Sequence, residues 1–149
     1  MKAIITLSKT FFPKHKKAGE QTFFAEKLLN GTKIHTCRAN YDYWQKKITR
    51  LKEANGTLCI RQWSGKPYRS PQITILEIPA SRIGIQKLNF YDGSISDVDI
   101  ITPFVDGHYI SLSDLAHNDG LCKQAFEDWF ARYDLSKPMA IIQFTDFRY

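Results

Sequence analysis

The chain has 149 residues, 43% of them hydrophobic, with 21 Lys and Arg against 15 Asp and Glu for a net charge of +6. That length suits one domain spanning 1–149, because each half alone would be near the size where a core becomes marginal. No apolar run approaches the roughly 20 residues of a membrane helix, and the start MKAIITLSKTFF lacks the long apolar region of a secretory signal, so a cytoplasmic protein is expected.

Residues 3–7 (AIITL) are apolar and β-branched and predict a strand, followed by a basic loop over 14–20. Residues 21–29 pair Phe24 with Leu28 and Ala25 with Leu29 at helical spacing, and Asn30-Gly31 stops the helix. Residues 33–38 read as extended. A second helix is predicted over 41–54 from the pairs Tyr43/Lys47, Trp44/Ile48 and Lys47/Leu51, with Asn55-Gly56 as its stop. Residues 57–63 predict a strand, Ser64-Gly65-Lys66-Pro67 a turn, and 73–78 and 83–90 two more strands.

The aspartate-bearing stretch 92–106 is the least regular part. A brief strand at 109–110 precedes a short helix over 111–116, with Ser111 at its cap and Asp114 three residues on. Asp119-Gly120 breaks that helix. Residues 123–133 are the plainest helix, with Phe126, Trp129, Phe130 and Tyr133 along one side, and 140–144 predicts a closing strand. Five or six strands with three or four helices, lacking a βαβ rhythm, predict an α+β fold built as a mixed barrel or a partly open sheet.

Cys37, Cys59 and Cys122 are an odd number without a CxxC pair, and His15, His35, His108 and His117 show no HxxxH spacing. Neither a disulfide framework nor a zinc site is expected, and no metal or cofactor is called for. The charge is uneven: residues 1–70 hold 15 Lys and Arg against 4 Asp and Glu, and residues 71–149 hold 6 against 11. A basic face meeting a polyanion is one reading, and a solvated surface the other.

The densest polar segment is Gly31-Thr32-Lys33-Ile34-His35-Thr36-Cys37-Arg38. Strict alternation sets Lys33, His35 and Cys37 on one side and Ile34, Thr36 and Arg38 on the other, so a turn or bulge is needed to unite Lys33 with Thr36. Tyr41, Tyr43 and Trp44 follow, among Lys46, Lys47, Arg50 and Lys52. Trp63, Lys66, Tyr68 and Arg69 repeat the mixture of aromatic and basic residues, and Lys14, His15, Lys16 and Lys17 form a second basic patch. Such interleaving suits RNA, with bases stacked on rings and phosphates on cations.

GTKIHTCR resembles the G-x-K-x-x-T/E-x-R signature of the ASCH domain, a branch of the PUA-like superfamily. LSDLAHNDGL, the F-x-x-W-F helix and PMAIIQFTDFRY are similar to the end of larger ASCH proteins. The resemblance implies a PUA-like β-barrel whose cleft, lined by the signature, binds RNA or a nucleotide. It also implies, for one bacterial branch, an amidohydrolase that removes the acyl group from N4-acetylcytidine. On that pattern Thr36 is the nucleophile, Lys33 the base and Arg38 the following arginine, while Asp119 stands where the family has a glutamate one methylene longer.

Three classes of function follow. The first is an RNA- or nucleoside-binding domain using Gly31, Lys33, Arg38, Tyr41, Tyr43, Trp44, Trp63 and Tyr68. The second is a hydrolase of an acylated nucleoside, or a nuclease of the same barrel, using Lys33, Thr36, Arg38 and Asp119. The third is a protein-binding regulatory module.

Overall fold

The computed structural model describes residues 1–92 and 101–149. In chain order its elements are β1 (Lys2–Leu7), α1 (Phe24–Leu29), β2 (His35–Ala39), α2 (Tyr41–Glu53), β3 (Thr57–Trp63) and β4 (Gln72–Pro79). After a 3₁₀ turn (Ala80–Arg82) come β5 (Gly84–Asp92), β6 (Ile101–Val105), β7 (His108–Tyr109), α3 (Leu112–Asn118), α4 (Lys123–Phe130) and β8 (Met139–Gln143). No helix among the described residues is long and apolar enough to cross a membrane.

The strands form two open sheets, and the expected closed barrel is not formed. One sheet has the order β1-β3-β4 and the other β2-β8-β5-β6-β7. Closure would need a main-chain ladder between the sheet edges. Between β1 and β2 the link is a side chain instead: Arg38 Nη2 donates to the carbonyl of Thr6 at 2.8 Å. The strands described number eight rather than five or six. The one that no predicted segment covers is β6, in the stretch read as irregular; residues 93–100 of that stretch lie outside the described residues.

Local chemistry explains most boundaries. Asn40 caps α2 by accepting from Tyr43 N, and Ser111 caps α3 by accepting from Asp114 N. α1 starts later than its periodicity predicts. Phe23 is left-handed at φ 58, and Thr22 is held by Ser8 and Lys9, its hydroxyl donating to the Ser8 carbonyl at 2.7 Å. α4 stops at Phe130, which leaves Tyr133 beyond the helix and 41% exposed.

β8 is buried at all five positions between β2 and β5, and its run MAIIQ has the continuous apolar character of a strand covered on both faces. Ile5, Leu58, Ile60, Ile83, Leu88, Leu115 and Phe126 join it in one hydrophobic cluster drawing on both sheets. β1 and β3 run parallel, so the chain between them must cross over, and that crossover carries α1, β2 and α2. The start of β2 is pinned on two sides: Ile34 N donates to the Asn118 carbonyl and Phe144 N to the Ile34 carbonyl, each at 2.9 Å. This sets Lys33 beside the C-terminal end of α3.

Candidate functional site

Lys33 precedes β2 and runs inward, so that a long cationic side chain is almost wholly buried, at 2% exposure. Its ammonium donates to the backbone carbonyl of Asp119 at 2.6 Å, lies 3.4 Å from the same residue's Oδ1, and sits 4.5 Å above the ring of Phe24. Asp119, the residue after α3, is itself buried. Gly120 makes the approach possible: it is left-handed at φ +88, and a Cβ there would stand 3.3 Å from Lys33 Cδ and from Phe24 Cδ1. Burial pushes the Lys33 ammonium below its ordinary pKa, against the opposing pull of Asp119. Burial also acts to raise the Asp119 carboxyl, but Lys33 and His35 outweigh it and hold it below the usual range.

His35, the first residue of β2, is fully buried. Its Nε2 is 2.6 Å from the Tyr149 hydroxyl, which accepts from Asn118 Nδ2 at 3.0 Å. The direction of the His35–Tyr149 bond follows the imidazole tautomer, because the phenolic oxygen can accept from Asn118 and also either donate to or accept from Nε2. Nδ1 faces Asp119 Oδ1 at 3.4 Å without forming a hydrogen bond. Burial lowers the His35 pKa, so the ring is neutral near pH 7, and burial raises that of Tyr149.

Thr36 and Arg38 lie on the other side of the strand. Thr36 is buried, and its hydroxyl has no hydrogen bond among the described residues. Arg38 is half-buried, its Nη2 on Thr6 and its Nε buried without a partner. Lys33, Thr36, Cys37, Arg38 and Asp119 nonetheless line one cavity of about 30 Å³, together with Leu7, Ser8, Phe24, Trp129, Phe130 and Tyr133. The space is of the order of a water molecule in size. Ser8 and Tyr133 are exposed and form its outer rim. Lys33 spends its hydrogen bonds on Asp119, and none joins it to Thr36.

His35 Nδ1, Cys37 Sγ and an Asp119 oxygen lie within 4.8 Å of one another, close enough for a metal ion to bridge. The Lys33 ammonium already stands at that carboxylate, with Arg38 alongside, and a further cation would meet both charges. The donor set does not fit a metal while Lys33 is protonated. Burial drives the Cys37 thiol well above its usual pKa, leaving it un-ionised.

None of the other sequence candidates lines this cavity. Gly31 is left-handed at φ +84 and ends α1, with open space around it. Tyr41 packs under Lys87, whose ammonium is 5.3 Å from the ring. Tyr43 and Trp44 meet edge-on at 5.3 Å with Lys47 over both. Trp63 and Tyr68 form a pair at 5.1 Å near the C-terminal end of β1. His15 is not part of a basic surface. It is buried against Phe11, Phe12 and Trp129, close to Ala125 O and accepting from Lys17 N.

Sequence reasoning gave His35 no role of its own and missed Asn118 and Tyr149 altogether. Of the closing residues, the Arg148 guanidinium bonds the Thr145 and Phe147 carbonyls and Tyr149 is the one that reaches inward.

No family model, curated protein or solved structure matches the chain. No ASCH or PUA-like identity is therefore shown, and the resemblance rests on the quoted residues alone.

Proposed function

We propose that the chain binds RNA or a nucleoside at the cavity of Lys33, Thr36, Arg38 and Asp119. One observation carries this reading: a buried ion pair lines a small cavity together with Thr36 and with Arg38, whose Nε is buried without a partner. Burying a charged pair is costly, and replacing it with apolar side chains is often neutral or stabilising for a fold. Buried donors left without partners call for an explanation, and a ligand supplies one. The set offers both donors and acceptors, as reading the edge of a base requires. A cavity of water size admits one protruding group, with the remainder of the ligand lying over Ser8 and Tyr133. The excess of cations in residues 1–70 supports an anionic partner.

The test is calorimetric titration with cytidine, cytidine 5′-monophosphate and N4-acetylcytidine. Saturable binding that weakens about tenfold in Arg38→Ala, the effect of one charge-assisted hydrogen bond, supports the proposal. No heat with any of the three, from folded protein, sinks it for these ligands.

A second reading, hydrolysis of the acyl group, is favoured by the desolvated Lys33 lining the same cavity as Thr36. Thr36 Oγ1 would attack the acyl carbonyl and pass its proton to a neutral Lys33, with Arg38 holding the oxyanion. The amine would leave with that proton, and water would release the acid from Thr36. This requires Lys33 to leave Asp119. Cytidine released from N4-acetylcytidine by wild type, but by neither Thr36→Ala nor Lys33→Ala, would establish it.

A further inference from the structure

Residues 64–71 form a loop held by its own hydrogen bonds. Ser64 N and Oγ both donate to the Pro71 carbonyl, at 2.9 and 2.8 Å. Ser70 Oγ accepts from Gly65 N at 2.9 Å and donates to the Lys66 carbonyl at 2.8 Å, which also receives Arg69 N at 3.1 Å. At the tip, Tyr68 is left-handed at φ 63 and 88% exposed. A bulky residue rarely adopts that conformation, and the loop thereby holds an aromatic ring out into solvent at an energetic cost. Neither Lys66 nor Arg69 has an acidic partner among the described residues.

The loop grows from the wall of the central cavity. Leu7 and Ser8 line the cavity, Leu7 pairs with Gln62, and Trp63 is the next residue of β3. Lys9 Nζ donates to the Ser64 carbonyl at 3.2 Å. Strand spacing of about 5 Å and a rise of about 3.3 Å per residue place the loop root close to the cavity rim. The Trp63 and Tyr68 rings, with centroids 5.1 Å apart and planes at 48°, leave no slot for a base between them. The free surface is the outward side of Tyr68, backed by Trp63.

We propose that this loop is a second contact for single-stranded RNA: Tyr68 stacks on an unpaired base, and Lys66 and Arg69 hold the phosphates beside it. The proposal deepens the reading above, taking its ligand from it, and makes that ligand a strand rather than a free nucleoside. A duplex, with its bases already stacked on one another, offers the ring no face.

The experiment is fluorescence anisotropy of a labelled 12-nucleotide RNA of mixed sequence, against the same sequence as single-stranded DNA and as RNA duplex. Proteins are wild type, Tyr68→Phe, Tyr68→Gly and the double variant Lys66→Ala/Arg69→Ala. Glycine adopts the loop's backbone freely, so Tyr68→Gly removes the ring without strain, and circular dichroism checks its fold. Single-stranded RNA is expected to bind more tightly than duplex. Tyr68→Gly should weaken it about tenfold while Tyr68→Phe retains it, and the double variant should lower the slope of log Kd on log salt by about 1.4. Equal loss in the DNA arm would extend the partner to either single strand and still support the loop.

Affinity that is indifferent to Tyr68, preference for duplex, or no oligonucleotide binding overturns the loop proposal. Free cytidine titrated into wild type reads the central site separately. Cytidine binding with any of those three outcomes leaves the central reading standing. Tyr68-dependent RNA binding without nucleoside binding overturns the central reading and keeps the loop.

Discussion

Lys33 Nζ donates to the Asp119 carbonyl at 2.6 Å and stands 3.4 Å from its carboxylate, with both side chains buried. The two residues are 86 positions apart, and the pair ties the entry to β2 to the exit from α3. Removing one member leaves the other charge buried without compensation. Asp119→Ala is expected to cost about 3–5 kcal/mol, measured by urea unfolding. Lys33→Met added to Asp119→Ala should recover at least about 1 kcal/mol, because it removes the stranded charge. An additive double variant would mean that the carbonyl contact, not the ion pair, carries the coupling.

His35 gives stability a dependence on pH. Its folded pKa lies below the ordinary 6.5, chiefly through burial. As pH falls below about 6.5 the unfolded chain takes up a proton that the folded chain refuses, so stability falls. Asp119, whose folded pKa lies below 3.8, adds a further loss as pH passes below that value. Urea midpoints are expected to decline from pH 7 to pH 5 in wild type. In His35→Gln, which keeps a polar partner for Tyr149, that decline should flatten. A decline unchanged in His35→Gln would assign the dependence to another group.

Most elements were legible because their punctuation is local: the stops at Asn30-Gly31 and Asn55-Gly56 and the cap at Ser111. β6 was not. It holds Pro103, which argues against a strand inside a sheet; in the structure Pro103 pairs with Phe90, and on the β7 side it serves only as an acceptor, its carbonyl taking Ile110 N at 3.2 Å. Openness of the sheets was illegible for another reason, since it depends on which edges meet, and no residue spacing states that. At the site, alternation did group Lys33, His35 and Cys37, and all three approach Asp119. It asked for a turn or bulge to unite Lys33 with Thr36, and a turn supplies it: Lys33 follows the turn at Gly31 and precedes the strand, so strand alternation does not bind it. His35 was given no role because its partner, Tyr149, is 114 residues away.

Gly120 and Gly31 allow the backbone of the site to be probed without touching its polar groups. Both are left-handed, at φ +88 and +84, so alanine at either strains the chain by about 1–2 kcal/mol. Only at Gly120 would the new methyl also press on Lys33 and Phe24, whereas at Gly31 it meets open space. Thermal unfolding is expected to show a larger loss for Gly120→Ala than for Gly31→Ala. Nucleoside titration should show weakened binding in Gly120→Ala alone. Equal effects at the two positions would mean that the Lys33 chain moves aside freely.

The three thiols divide by exposure. Cys122 is exposed at the start of α4, while Cys37 and Cys59 are buried and burial raises the pKa of each. The thiolate is the reactive form, so a buried thiol held protonated reacts slowly whatever its neighbours. Native protein is expected to release about one equivalent of thionitrobenzoate quickly from Ellman's reagent and the other two only on unfolding; Cys122→Ser should abolish the fast phase. Cys37 lines the central cavity, so its slow phase also reports on how often that site opens. A nucleoside seated there should slow it further while leaving Cys122 unchanged. A Cys37 that reacts as fast as Cys122 in the native protein would mean that the cavity is open in solution, and the ion pair beneath it accessible to water.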